Sequence, residues 1–224
     1  MTTLHYIYDP LCGWCYAASP LIAAARAHLP IVLHGGGMMA YGHRQTITPE
    51  LRNYVIAHDQ RIAQLTGQPF GEGYFEGLLR DTSVTLDSEL PITAVMAADA
   101  LAGRGLDLLA RIQTAHYVEG RRVSEFEVLR ELAVEIGLTE DAFVAAYQRH
   151  SGILTWHHIE QSRTLLEQVG GRGFPTLVLE QDGKYQVVAL TAFLGKLPAW
   201  QKWLTESIPV SATTEAPVCR IDGC

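Results

Sequence analysis

Apolar and polar positions along this chain of 224 residues fall into three successive regimes. The first opens on Leu4-His5-Tyr6-Ile7-Tyr8, a short β-rich run, and passes into the alanine-rich stretch 16–25, which has helical character. Pro20 lies inside that stretch, removes one backbone hydrogen bond and is expected to kink the helix. The helix is expected to end near His28-Leu29-Pro30, and Ile31-Val32-Leu33-His34 then reads as a second strand. That strand runs into Gly35-Gly36-Gly37-Met38-Met39, where the backbone is free to turn closely. Strand, helix, strand in this order makes a βαβ unit, with a parallel pair and a right-handed crossover.

From Thr48 onward the spacing predicts helices alone. Thr48-Pro49 supplies an N-cap and a proline at the first helical position, and Gly67 follows the last turn of 51–66. A further helical region covers 91–120 with a break near Gly103-Arg104-Gly105. Ser124 and Glu127 read as a capping box opening a helix that stops at Gly137, and Thr139 caps another that ends around Ser151-Gly152. Leu129, Leu132, Ala133 and Ile136 recur at helical spacing, so this region is expected to bury a core of its own.

In the third regime a long helix, 156–169, closes at Gly170-Gly171 and strands return. The β-rich runs 176–180 and 185–190 flank Gln181-Asp182-Gly183-Lys184, and Asp-Gly between such runs is a strong hairpin signal. A last helix over 197–207 covers the sheet. The fold class is therefore α/β, a thioredoxin-like fold with a large all-helical insertion. Its expected divisions are a discontinuous domain, 1–45 plus 155–208, an insertion, 46–154, and a tail, 209–224.

Chemistry enters with Cys12-Gly13-Trp14-Cys15, which joins the first strand to the first helix. Positions i and i+3 at a first helical turn share a face, so the two sulfurs can close a disulfide. Unpaired N–H groups and the positive dipole end favour Cys12 as the thiolate, the form that attacks disulfides. The motif reads as a redox centre. Two other readings stand beside it: half of a zinc site completed by Cys219 and Cys224, and two inert buried thiols. Against zinc, the pair continues into a helix, where structural zinc pairs sit on tight turns.

Gly173-Phe174-Pro175 stands where the long helix hands over to the hairpin. In a thioredoxin-like sheet this strand begins beside the two cysteines, and a cis bond before Pro175 would expose the backbone of Phe174 as an extended edge for a substrate strand. Trp14 either packs over the active-site surface or meets apolar side chains of a client. Met38 and Met39 read as core packing, with a peptide groove as the alternative.

Composition narrows the field. The formal charge is −7 and 48% of residues are hydrophobic, and the densest basic spot is Arg121-Arg122, so nucleic acid and anionic membrane are not expected partners. Met1-Thr2-Thr3 leads directly into the first strand with no signal-peptide pattern, which places the protein in the cytoplasm as an expectation. There thiols are kept reduced, so a C-x-x-C points to catalysis or sensing. His157 and His158 face different sides of a helix, so no metal capture is expected from them. The absence of G-x-x-x-x-G-K-[ST], G-x-G-x-x-G and H-E-x-x-H disfavours nucleotide and zinc-protease chemistry. No cofactor is expected.

Cys12-Gly13-Trp14-Cys15 after Tyr8-Asp9-Pro10, a helical insert, and Arg172-Gly173-Phe174-Pro175-Thr176 resemble the DsbA-like thioredoxin-fold thiol:disulfide oxidoreductases. The stretch from Ala115 to Arg121, followed by Val128-Leu129 and Glu131-Leu132-Ala133, is similar to the insert of the FrnE-like branch. The resemblance implies that Cys12 attacks, that Cys15 is the buried resolving thiol, and that Pro175 is cis and faces the pair. Gly13-Trp14 departs from the Pro-His of the best-known members and from the Pro-Trp frequent in the branch. The implied activity is disulfide exchange with protein or peptide thiols, with glutathione among the candidate partners. The related 2-hydroxychromene-2-carboxylate isomerases and kappa-class glutathione transferases are similar in architecture but carry serine where Cys12 stands, which ranks a glutathione-dependent isomerase or transferase second. A non-catalytic zinc-binding or redox-sensing module is the third reading.

Past residue 208 the composition turns polar and ends in Cys219-Arg220-Ile221-Asp222-Gly223-Cys224, a C-x-x-x-x-C also similar to FrnE-like proteins. The functional reading is a second dithiol exchanging with the first, and the plain reading is a terminus with incidental thiols.

Overall fold

The structure is a computed structural model and describes residues 2–207. Strands β1 (Thr2–Tyr8), β2 (Ile31–Gly35), β5 (Thr176–Gln181) and β6 (Lys184–Val188) form one sheet in the order β2-β1-β5-β6. β1 pairs parallel with β2 and antiparallel with β5, and β5 pairs antiparallel with β6. Being central, β1 is buried on both faces: Leu4, Tyr6 and Tyr8 point one way, His5 and Ile7 the other. The β5–β6 turn places Asp182 (φ 51°) and Gly183 (φ 75°) at positive φ, as a two-residue hairpin of the right twist requires.

Helix α1 (Gly13–Ala25) makes the crossover from β1 to β2 with Pro20 inside it. After a two-residue strand β3 (Gln45–Thr46), helix α2 (Pro49–Thr66) is capped by the Thr48 hydroxyl, which accepts the Leu51 N–H at 3.2 Å, and ends on Gly67 at φ 73°. The region beyond is not helical throughout. β4 (Thr85–Leu86) pairs antiparallel with β3, and Gly73–Gly77 forms a π-helical turn. Helices α3 (Glu89–Ala102) and α4 (Gly105–Tyr117) break at Gly103, φ 62°.

Helix α5 (Phe126–Glu135) corrects the capping-box expectation. Its N-cap is Glu125, without a side-chain cap bond, and the Ser124 hydroxyl is engaged by the backbone of Asp87, accepting its N–H at 2.9 Å and donating to its carbonyl at 3.1 Å. Helices α6 (Glu140–His150), α7 (Ile153–Gln168) and α8 (Leu197–Ser207) complete the described residues. No helix among them is long and apolar enough to cross a membrane.

The helical region does not keep a separate core. α1 touches α4 as well as α8, so Leu21 and Ile22 of α1 belong to one apolar cluster with Tyr6 and Leu177 of the sheet and with Ile112, Leu129, Leu132 and Phe143. Burial of each such side chain is worth about 1.5–3 kcal/mol. Trp200 of α8, fully buried, anchors this layer by donating its indole N–H to the Leu21 carbonyl at 2.7 Å. α7 lies against β2, where His158 Nε2 accepts the Gly35 N–H at 2.9 Å. The sheet and α1 thus form a packed frame whose strand ends meet the start of α1.

Candidate active site

Cys12 is the N-cap residue of α1 (φ −94°, ψ 115°), and Cys15 lies in its first turn. The Cys12 carbonyl accepts the Cys15 and Tyr16 N–H groups at 2.9 and 3.1 Å, which locks the pair one turn apart. No acidic residue of α1 occupies that turn, so its positive dipole end is not neutralised from within the helix. Both cysteines are free thiols and both are buried, Cys15 completely and Cys12 with 8% of its surface exposed. The Cys12 thiol donates to the Phe174 carbonyl at 3.4 Å, and the Phe174–Pro175 peptide bond is cis.

The two sulfurs differ in surroundings. Burial pushes the Cys15 thiol well above its ordinary pKa, and the hydrogen bond and charge of Cys12 add to the rise. The Asp9 N–H, 3.4 Å from Cys15 Sγ, acts the other way. Cys15 is thus held as the thiol while Cys12 occupies the rim.

Asp9 is a buried carboxylate at the end of β1. Its Oδ1 accepts the Leu11 N–H and the Ser88 hydroxyl, both at 2.9 Å, and its Oδ2 accepts the Met38 N–H at 2.6 Å. One side chain therefore ties the β1–α1 turn, the glycine-rich loop after β2 and the start of α3. Burial raises its pKa from 3.8 to about 6, and the three donors hold it from rising further. Arg163 of α7 completes the loop, donating to the Gly36 and Gly37 carbonyls at 2.9 and 2.7 Å. A Cβ on Gly36 would fall within the Phe174 ring, so glycine there lets the ring seat while its carbonyl faces Cys12.

On the opposite flank, α1 docks on α2. A Cβ on Gly13 would lie 2.6 Å from Asp59 Oδ1 and 2.9 Å from Ile62 Cδ1, so the approach of the two helices needs glycine. Asp59 is buried, which raises its pKa, and its Oδ2 accepts the Tyr74 hydroxyl at 2.8 Å. Trp14, half-buried, donates its indole N–H to His58 Nε2 at 2.9 Å. Its ring also forms one wall of a groove of about 500 Å³ lined by Leu65, Phe174, Pro175, Leu190, Leu194 and Lys196 among others.

The structure thus brings Cys12, Cys15, Trp14, Phe174 and Pro175 into one site. Met38 and Met39 do not line its groove: Met39 packs on the core and Met38 contributes only its N–H to Asp9. Cys219 and Cys224 lie outside the described residues. Among the described residues no three His, Cys, Asp or Glu side chains are placed to hold a metal ion. Sequence reading missed Asp9, His58, Asp59 and Tyr74; the available signal was a carboxylate at a core-facing position of α2, three residues before Ile62.

No family model and no curated protein matches the chain. Solved structures do. The cytosolic disulfide reductase DsbM from Pseudomonas aeruginosa is 53% identical, with 92% of this chain and 98% of that one covered and a TM-score of 0.87. The chain belongs to the DsbA-like thioredoxin-fold oxidoreductases. DsbM has also been solved with GSH, in a structure that matches over the same shares at a TM-score of 0.85. A candidate protein disulfide isomerase from Nitrosomonas europaea is 26% identical over 91% of this chain and 98% of its own, with a TM-score of 0.74. A 2-hydroxychromene-2-carboxylate isomerase, at 15% identity and a TM-score of 0.58 over 92% of this chain and 97% of its own, shares the fold alone. As a DsbA-like protein the chain is a thiol–disulfide oxidoreductase, and its insert is the helical elaboration of that fold. The matches do not single out the FrnE-like branch.

Proposed function

We propose that this DsbA-like chain reduces disulfides of protein or peptide substrates in the cytosol through Cys12 and Cys15, with glutathione restoring the dithiol. The observation that carries the reading is the asymmetry of the pair: Cys12 at the rim of α1 against the Phe174 carbonyl, Cys15 fully buried and held protonated. Support for the compartment and the small thiol comes from the similarity to DsbM, a cytosolic disulfide reductase also solved with GSH. In the groove, Lys196 is a cation suited to a peptide or glutathione carboxylate.

The Cys12 thiolate attacks one sulfur of the substrate disulfide, forming a mixed disulfide and expelling the other sulfur as a thiolate that takes up a proton. Cys15 then loses its proton and attacks Cys12 Sγ. The Cys12–Cys15 disulfide forms, the bond to substrate breaks, and the second substrate sulfur leaves with a proton. As its thiol ionises, Cys15 receives the Asp9 N–H. Two glutathione molecules reverse the oxidation, one forming a mixed disulfide with Cys12 and the second releasing glutathione disulfide.

The test is a pair of variants assayed on a disulfide-linked protein substrate with glutathione. Cys12→Ala is expected to abolish turnover, and Cys15→Ala to accumulate a mixed disulfide visible by mass. Parental turnover in Cys12→Ala overturns the assignment. Parental turnover in Cys15→Ala, with saturable glutathione binding, would favour the glutathione-dependent isomerase or transferase reading.

A further inference from the structure

Between the two cysteines stand Gly13 and Trp14, and the sulfur exchange itself uses neither. The Trp14 indole is a donor only, and it points its N–H at His58 Nε2, 2.9 Å away. His58 Nε2 must then be the bare nitrogen of a neutral ring, which leaves the ring proton on Nδ1, facing Asp59 Oδ1 at 3.2 Å. Asp59 is 3% exposed and is steadied from behind by the Tyr74 hydroxyl at 2.8 Å. The indole meets the imidazole edge-on, ring centroids 5.7 Å apart at 89°, and the imidazole lies against Tyr54 at 6.1 Å and 18°. A hydrogen-bonded line therefore runs from the groove wall to a buried carboxylate, and each link fixes the orientation of the next.

The groove begins at that wall. Leu65, Phe174, Pro175, Leu190 and Leu194 make it apolar, and it adjoins Cys12 through Phe174. A side chain carried beside the reacting cysteine of a substrate would enter it. An indole held in one rotamer gives that side chain a preformed surface, whereas a free indole must be ordered at each binding event.

We propose that His58, its tautomer set by Asp59, is a positioning residue that holds Trp14 as a fixed groove wall and so selects disulfides bearing a bulky apolar side chain next to the cysteine. This inference rests on the disulfide exchange proposed above. It separates recognition from sulfur chemistry: the His58 line acts on binding, while Cys12 and Cys15 act on bond exchange.

The test uses the full chain and two disulfide-linked peptides that differ only in leucine or serine beside the cysteine, with a fluorophore and a quencher on opposite arms and dithiothreitol as reductant. The wild type is expected to show the lower KM for the leucine peptide. His58→Ala and Trp14→Phe are each expected to raise that KM about fivefold, the scale of one hydrogen bond, while kcat changes less than twofold. The double variant is expected to match the worse single variant, because both break the same link. His58→Gln, whose amide carbonyl can accept the indole proton, is expected to recover part of the loss.

Single effects that multiply in the double variant overturn the proposal. So does a fall in kcat at unchanged KM, or equal KM values of the wild type for the two peptides. A wild type that reduces neither peptide overturns the exchange reading itself, a result distinct from the preceding ones. If His58→Ala fails to fold, Trp14→Phe keeps an aromatic ring in the wall, removes the donor and carries the same comparison.

Discussion

The two flanks of Cys12 are built by different means. On the sheet side the parts are backbone held by side chains: three donors converge on the buried Asp9, the half-buried Arg163 holds the Gly36 and Gly37 carbonyls, and Phe174 seats its ring over Gly36. On the α2 side the parts are side chains holding side chains, Trp14 to His58 to Asp59 to Tyr74. Each flank has one glycine at the point of closest approach, Gly36 on the first and Gly13 on the second. The contrast implies that damage on the sheet side costs stability first, whereas damage on the α2 side changes which substrates are taken.

The largest expected effect is a pH dependence seated on the sheet side. Asp9 has a folded pKa of about 6 against an ordinary 3.8, so the folded state binds its proton more tightly than the unfolded state does. The stability linked to that proton is fully present below pH 3.8 and is lost as the pH rises through 6. Asp9→Asn removes the titration while keeping one acceptor oxygen. Denaturant unfolding of both proteins at a series of pH values is expected to show the wild type losing roughly 2–3 kcal/mol relative to Asp9→Asn between about pH 4 and 7. A constant difference across that range would mean that Asp9 is solvated, and that the sheet flank does not carry the stability argued for it.

Next in size is Gly36→Ala. Because the added methyl would overlap the Phe174 ring, the ring and its carbonyl must shift away from Cys12. Overpacking of this kind is expected to cost about 2 kcal/mol in unfolding experiments and to lower kcat as well, since the displaced carbonyl faces Cys12, the attacking sulfur of the proposed exchange. Loss of stability with kcat intact would show that the Phe174 carbonyl does not bear on the exchange.

Gly13→Ala is the matching change on the other flank, and its cost is smaller because two effects oppose. Alanine in place of glycine favours a helix by about 1 kcal/mol, while the methyl meets Asp59 Oδ1 and must break the Asp59–His58 contact. A net loss of about 1 kcal/mol is expected, together with the raised KM for the leucine peptide predicted for His58→Ala. Should kcat fall as it does in Gly36→Ala, the two flanks would not divide stability and selection as argued.

What the sequence disclosed follows the same division. Regular elements were legible because their signals are local: the Asp182-Gly183 turn, the Thr48-Pro49 start and Gly67 stop of α2, the break at Gly103, and the end helix at 197–207 all appear where spacing and turn chemistry put them. The cysteines and the Phe174-Pro175 turn were legible as a motif. Ser124 misled because its hydroxyl found Asp87, 37 residues away, in place of its own helix. The pairing of β3 with β4 was invisible because two residues carry no period. Asp9, His58 and Asp59 take their roles from partners distant in sequence, Ser88 for the first and Gly13 and Trp14 for the others, and local pattern holds no record of those meetings.

The smallest expected effect sharpens the comparison by leaving both flanks in place. Thr48 caps α2 through its hydroxyl on the Leu51 N–H, ten residues and more from His58 and Asp59, at the exposed end of the helix. Thr48→Ala is expected to cost about 1 kcal/mol by removing that cap. Fraying confined to the first turn does not reach the Trp14 contact, so the KM ratio of the leucine and serine peptides is expected to stay at the wild-type value. Gly13→Ala and Thr48→Ala would then have similar stability and different selectivity, and what would separate them is whether the lesion meets α2 at Asp59, where α1 docks, or at its capped start. If the Thr48 variant also lost selectivity, α2 as a whole would set the groove wall, and the His58 line would be one of several contacts doing so.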